Sequence, residues 1–522
     1  MMTRPSPTRL ALSALLALAC GTATAWADPR FAPPATAEGR LLAFISDLHM
    51  SWGKVGGRWH HYEDFRWPNA LQGLLDHLEA AGEGHTDLVI VGDFLELWQL
   101  PDDIACRGQG SELGCTPAEM AELTRRVIDG HAGVFEMLKT FSRSGENRLH
   151  ALPGNHDAAL LLPEVWSLVA DALGAESGRV RRADDGFFVS ADGFTVVEHG
   201  HQIPGDANRY ASWPEVRDDA SGLIQRPFGE LFVQRLFNET ERHYPIIDNL
   251  APEVAGAWYR AQDRGVWGSV GDFARFIAFA LFETSLTQKL QFLGPETAEE
   301  RGDWDVAYAR QELGHELFAY AMPPGEPLRA ALLSDEPAAE VVALQAELDA
   351  LAVDPGATPE AQIRELCDLT AANSEQRCRR GTLGEFAGRI PGVRPWLVRQ
   401  HLIERRSRFP EMVFFVYGHT HKYEQGHRVT IEGSDQVVVY NTGAFQRLIG
   451  QDQYLKRLAA AHPGVSPAEG LSKLTPEDDF EPCYTVVLAP WSGTYNQPMT
   501  WWWHMPEDGE GSLIEPGEGA CG

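Results

Sequence analysis

The sequence predicts an α/β fold that carries a second sheet and a large helical insertion, and three observations lead to that class. Short apolar runs rich in β-branched and aromatic residues each end in a cluster of Asp, Asn or His. Stretches of helical periodicity, at 70–80 and 118–141, separate the early runs. Some 220 positions, many with helical spacing, part His199 from His419, more than one connection within a sheet requires. Buried strands alternating with helices, with polar residues at the strands' carboxyl ends, follow α/β logic.

In chain order, residues 1–27 read as a secretory signal. Arg4 and Arg9 give a basic start, 11–19 is apolar, and Ala25-Trp26-Ala27 offers a small-x-small cleavage site. The apolar stretch is too short to span a bilayer, and no later segment reaches the roughly 18 apolar residues that a span needs. Lipid attachment at Cys20 is the alternative, but Ala17 stands where a lipoprotein signal carries Leu, so cleavage near Ala27 is expected. The protein is then exported, periplasmic or secreted. The first part of the core is expected over 28–203, where the run 41–45 leads to Asp47, 88–91 to Asp93, 149–152 to Asn155 and 195–197 to His199. Runs this short, stopped by Gly, are buried strands.

Residues 204–409 are expected to form the helical cap. Its patterns lie at 229–242, 270–292, 304–321 and 338–351, broken around Pro323-Pro324-Gly325 and Pro355-Gly356. Residues 273–282 (FARFIAFALF) are apolar on nearly all sides, which reads first as a helix buried in the cap and second as a wall for an acyl chain or a surface touching lipid. The core resumes over 410–522, with strands at 412–416, 437–440, 484–488 and 499–504.

Acidic residues outnumber basic ones 74 to 44, a net charge of −30. Such a surface repels nucleic acid and anionic membrane, so no nucleic-acid partner is expected. Six cysteines follow the signal: Cys106, Cys115, Cys367, Cys378, Cys483 and Cys521. An even number in an exported chain favours disulfides, and local pairing in that order is the simplest connectivity.

The polar clusters are Asp47-Leu48-His49, Gly92-Asp93, Gly154-Asn155-His156-Asp157, His199-Gly200-His201 and Gly418-His419-Thr420-His421. Asp47 and His49 are two apart at a strand end, as are His419 and His421, so each pair is expected to point to one face. Carboxylate, amide and imidazole donors suit two divalent transition ions, and Mn, Fe, Zn or Co all accept them. Two such ions about 3.5–4 Å apart suit in-line displacement at phosphorus. Histidines at buried strand ends would otherwise carry an avoidable desolvation cost.

The ordered set Asp-x-His, Gly-Asp, Gly-Asn-His-Asp, a later His and Gly-His-x-His resembles the calcineurin-like metallophosphoesterase superfamily over residues 40–203 and 410–490. That resemblance implies a four-layer α/β/β/α sandwich and two divalent metal ions. It implies that Asp47, His49, Asp93 and His421 hold one ion and that Asp93, Asn155, His199 and His419 hold the other, with Asp93 bridging. It implies attack on a phosphate ester by a hydroxide between the ions, with His156 contacting the phosphoryl group or protonating the leaving oxygen and Asp157 orienting the His156 ring. Residues 92–98, His199-Gly200-His201-Gln202 and Asn441-Thr442-Gly443 are similar to the branch of UDP-diacylglucosamine pyrophosphohydrolases. The chain departs from that branch at His156, where Arg is usual, and in its export signal.

Substrate residues are expected nearby. Gln202, Asn208 and Arg209 follow the fourth cluster, while His60 and His61 lie in the aromatic, Gly-rich stretch 50–67. Each also has an ordinary reading as a packing or solvated residue. Of the two histidines flanking Gly200, His199 is preferred as ligand because it follows the strand directly. The expected function is hydrolysis of a small or lipid-linked phosphate mono- or diester, with the cap shaping the pocket. The alternatives are a binding or signalling module on the same scaffold and a nuclease of the same superfamily.

Overall fold

The computed structural model describes residues 39–251 and 393–516, except 102, 105, 107–111, 204–205, 207, 235–237, 248, 434, 448, 476–482, 491–496 and 507–509. The expected signal with Cys20, the cap patterns at 270–292, 304–321 and 338–351, and Cys367, Cys378 and Cys521 lie outside the described residues.

The described chain is mixed α/β. Its main strands are β1 (Leu41–Ile45), β2 (Thr86–Val91), β3 (Arg148–Leu152), β4 (Val180–Arg182), β5 (Phe188–Val189), β6 (Thr195–Val197), β7 (Phe414–Tyr417), β8 (Tyr423–Glu432), β9 (Asp435–Thr442), β10 (Cys483–Pro490), β11 (Met499–His504) and β12 (Ser512–Ile514). They form a seven-stranded sheet, β12-β11-β10-β1-β2-β3-β4, and a five-stranded sheet, β8-β9-β7-β6-β5. Strands β1 to β4 pair in parallel, while β10, β11 and β12 extend the sheet antiparallel beyond β1. In the smaller sheet β7 is parallel to both β6 and β9.

Helices α1 (Pro68–Ala81), α2 (Pro117–Gly130), α3 (Ala132–Arg143) and α4 (Pro163–Leu173) lie between the parallel strands in sequence. α1 buries Ala70, Leu71, Leu74, Leu75 and Leu78, a stripe at helical spacing. α2 opens with Thr116 and Glu119 exchanging side-chain and backbone bonds, and with Pro117 at its first position. The pattern at 118–141 reads as one helix, but the chain breaks it at His131. There the buried Glu63 binds His131 Nε2 at 2.8 Å, and a Cβ on Gly130 would collide with the Trp52 carbonyl.

Three apolar clusters locate the layers. Leu71, Leu74, Leu138 and Val165 pack with Leu88 and Ile90 on the helical side of the larger sheet. Phe44, Val89 and Leu152 of the larger sheet meet Val197, Val416 and Val438 of the smaller. On the far side of the smaller sheet, Val196, Phe415 and Val439 pack against Val398 and Leu402 of helix α5 (Val393–Arg408). Phe414 and Val416 therefore face one cluster and Phe415 and Tyr417 the other, the period of two that a strand imposes. α5 lies in the interval assigned to the cap, yet it packs on this sheet. Within the stretch 229–242, expected as helical, the described residues include the helices Phe228–Phe232 and Asn238–Glu241. Its acids turn inward: Glu230 meets Arg226 Nε at 3.4 Å and Glu241 accepts from Gln99 Nε2 at 2.6 Å. Cys106 and Cys115 form a disulfide, as expected, and Cys483 is disulfide-bonded.

At the amino end of β2 a buried pair ties the residue before β1 to the neighbouring strand. Arg40 donates to Asp87 Oδ1 from Nε at 3.1 Å and from Nη2 at 2.6 Å, and to the Glu146 carbonyl at 2.8 Å. Burial raises the Asp87 carboxyl, but His150 and Arg40 outweigh it and hold it below the usual carboxylate range. Its contribution to stability is therefore full above the unfolded value of about 3.9 and fades as pH falls through the lower folded value. Asp87→Asn leaves the Arg40 charge buried, an expected loss of about 3 kcal/mol at pH 7. Urea denaturation at pH 7 and pH 3 checks it, with the gap between variant and parent shrinking at the lower pH.

Candidate metal centre

The sheets end side by side, and the polar clusters occupy the turns just past β1, β2, β3, β6 and β7. The expectation that strand alternation points each pair, Asp47 with His49 and His419 with His421, to one face is corrected: β1 stops at Ile45 and β7 at Tyr417, so the pairs lie past the strand ends. Left-handed backbone does the aiming instead. Among the described residues six non-glycine positions have positive φ, and five of them are Asp47 (54°), His49 (48°), Asp93 (49°), His419 (70°) and His421 (54°). Each such residue costs on the order of 1–3 kcal/mol and persists only where its surroundings fix it. Here the Asp47 N–H donates to the Gly92 carbonyl at 3.1 Å, the His49 N–H to the Asp93 carbonyl at 3.0 Å, and the His419 N–H to Asp47 Oδ2 at 3.0 Å. Asn441 Nδ2 donates to the Gly418 carbonyl and to Thr420 Oγ1, each at 3.0 Å, so the late Asn-Thr-Gly stretch holds the last turn in place. Gly92, at φ 82°, must be glycine: a Cβ there would strike the His199 ring.

Asp47, His49 and His421 form one group of converging donors, and Asp93, His199 and His419 form another. His421 Nε2 is 3.3 Å and His49 Nε2 3.8 Å from Asp47 Oδ1. Asp93 Oδ2 lies 2.9 Å from His199 Nε2 and 3.7 Å from His49 Nε2, so one oxygen faces both groups. Asn155 Oδ1 joins the second group at 2.9 Å from His199 Nε2, whose Nδ1 is held by the Val91 carbonyl at 2.7 Å. All seven expected ligands are thus brought together. Asp47 and Asp93 are essentially inaccessible, while the His421 side chain is 24 % exposed and marks the open side.

The electrostatics fit cation ligands. Burial raises the Asp47 and Asp93 carboxyls, yet the imidazoles around them outweigh it and hold both below the usual range. Burial lowers the His199 imidazole, but Asp93 and Asp47 overcome it and raise it to about 9. Asp47 Oδ1 is buried and accepts no hydrogen bond, an orphaned anionic oxygen that a cation would satisfy.

Carboxylates that the motif reading did not single out support these ligands. Glu96 Oε2 lies 3.0 Å from His49 Nδ1 and 2.5 Å from His156 Nδ1, and His156 stacks on Trp98 at 3.9 Å. Burial raises Glu96, but His156 and His49 bring it down to about 2. Asp206 Oδ2 lies 2.9 Å from His419 Nε2. The role expected for Asp157 is corrected. Its oxygens accept the backbone N–H groups of Gly154 at 2.6 Å, Phe94 at 2.8 Å and Leu95 at 3.2 Å, which pins two clusters together, and Glu96 takes the place beside His156. Because a ligand's outer partner is worth roughly 10–100-fold in metal affinity or activity, Glu96→Gln is expected to weaken metal retention by about that factor. Metal analysis after dialysis against a graded chelator checks it.

Of the expected substrate residues, Asn208 reaches the centre, with Nδ2 at 3.5 Å from His419 Nε2. Among the described residues Gln202 Nε2 and Arg209 Nε are buried without partners, and His201 is buried beside Trp213 rather than in either ligand group. The His60 ring packs at a tilt against Trp52 at 4.3 Å and His61 at 4.1 Å, outside the ligand groups. The loop carrying them is tied down by Glu63, which accepts the N–H groups of Ser51, Gly53 and Phe65. No helix among the described residues is long and apolar enough to cross a membrane. No family model matches the chain, and no curated protein matches it.

Proposed function

We propose that the chain is an exported phosphoesterase of the calcineurin-like superfamily, working with two divalent ions on a small or lipid-linked phosphate mono- or diester. The observation that carries this reading is the position of Asp93 Oδ2 between His199 Nε2 at 2.9 Å and His49 Nε2 at 3.7 Å, one carboxylate oxygen shared by two ligand groups. The order of helices, sheet, sheet and α5 supports reading the core as a four-layer α/β/β/α sandwich.

Asp47, His49, Asp93 and His421 would hold one ion, and Asp93, Asn155, His199 and His419 the other. When bound, such ions lower the pKa of water and neutralise charge that develops on the phosphoryl oxygens. The protein's own groups do the rest. Glu96 and Asp206 fix the ring orientation of His49 and His419. Glu96 and the Trp98 ring hold His156, leaving its Nε2 to give a proton to the departing oxygen. Asp157 keeps the Asn155 turn against the Asp93 turn through backbone bonds. The disulfides fit an oxidising compartment.

The test is a substrate screen on protein reconstituted with Mn²⁺. Hydrolysis of p-nitrophenyl phosphate or its bis ester, abolished by chelator and restored by metal, is expected. Folded, metal-loaded protein that cleaves no mono-, di- or pyrophosphate ester would overturn the reading.

A further inference from the structure

The loop after His199 carries polar side chains that the mechanism above leaves unused. His201 is 2 % exposed, and neither ring nitrogen has a hydrogen bond. Its ring lies edge-on to Trp213 at 4.3 Å, 5.5 Å from the His199 ring and 6.3 Å from that of His419. Gln202 Nε2 and Arg209 Nε are likewise buried without partners. Buried polar atoms in native proteins nearly always find a partner, so each exception calls for a cause. The three lie within nine positions of one loop, whose Asp206 and Asn208 reach His419, and they share a cause more simply than they have three.

The chemistry of the three groups defines what would satisfy them. An amide NH₂ and a guanidinium N–H only donate, and a neutral imidazole always carries one N–H. Asp206 is the carboxylate within electrostatic reach of both His201 and Arg209. Its oxygens are already committed, Oδ2 to His419 Nε2 and Oδ1 to the Asn208 N–H, each at 2.9 Å. Arg209 also faces Glu404, whose Oε1 is taken by Arg405 Nη1 at 3.0 Å, so among the described residues this set of donors is short of acceptors and matches an oxyanion, whose charge-assisted bonds to such groups are the strong ones.

We propose that His201, Gln202 and Arg209 form an anion subsite beside the Asp93, His199 and His419 group, which takes a second oxyanion of the substrate, a phosphoryl or a carboxylate group. The preferred esters are then those that carry a further negative charge close to the scissile phosphate. The subsite rests on the phosphoesterase reading only for the identity of the group bound next to it.

The full chain loaded with Mn²⁺ is titrated calorimetrically with methylphosphonate, phosphonoacetate and methylenediphosphonate, and its metal content is measured after each titration. These probes present one oxyanion, a phosphoryl with a carboxylate, and two phosphoryl groups. A two-anion probe is expected to bind about tenfold tighter than methylphosphonate, the scale of one or two charge-assisted bonds, and the tighter of the two identifies the anion. Arg209→Met and Gln202→Leu are each expected to erase most of that preference, while Arg209→Lys, which keeps the charge, retains part of it. Equal binding of all three probes, or a preference unchanged in both variants, overturns the subsite. If no phosphate ester is hydrolysed yet the Arg209-dependent preference persists, the subsite stands and the phosphoesterase reading falls.

Discussion

On the proposed function, Asp93→Ala is expected to strip the protein of both ions and to abolish turnover. The reason is geometric: the same oxygen faces His199 on one side and His49 on the other, so its loss removes a ligand from each group in one step. Asp93 Oδ1 also accepts the His156 N–H at 2.8 Å, and the cavity left by truncation would loosen that turn. Removing even an outer partner of a ligand costs roughly 10–100-fold, so the loss of a shared ligand must exceed that range. Metal content of the purified variant after reconstitution, measured beside activity on p-nitrophenyl phosphate, checks it. Retention of two ions by a well-folded Asp93→Ala protein would remove the central argument for a shared carboxylate.

His156→Ala should separate chemistry from metal binding. The His156 ring is held by Glu96 and Trp98 and lies on the partly open side, its side chain 17 % exposed. In the proposed role of proton donor His156 would contribute about 10²–10⁴-fold to the rate, so kcat is expected to fall by that factor while the metal content stays unchanged. The loss should be smallest with p-nitrophenyl esters, whose leaving oxygen needs little help, and largest with alkyl esters. A variant that loses metal as well as turnover would make His156 a support of the centre rather than a proton donor.

How far the centre could be read from the chain depended on what each residue needed from its neighbours. Asp47, His49, Asp93, Asn155, His199, His419 and His421 were legible because each stands in a short motif directly after a strand-like run. Glu96 and Asp206 were not, since a carboxylate is common and their partners lie 60 and 213 positions away. Asp157 misled by adjacency: it follows His156, but its side chain serves backbone amides. The positive φ angles were hidden as well, because Asp and His do not announce left-handed backbone as glycine does. The division of the 118–141 helix at His131 turned on Glu63, 68 positions earlier.

The adjacency of β6 and β7 in the smaller sheet has a consequence for the length of chain between them. More than 200 residues separate these neighbouring strands in sequence, yet doubling the length of a flexible connection costs only about 0.6 kcal/mol. The closure entropy of that connection is therefore a small term for the frame that carries His199 and His419, to which Asp206 and α5 of the same interval contribute contacts. Polypeptide can be lengthened within that interval at little entropic cost so long as Asp206 keeps its place on His419 and α5 its place on the sheet.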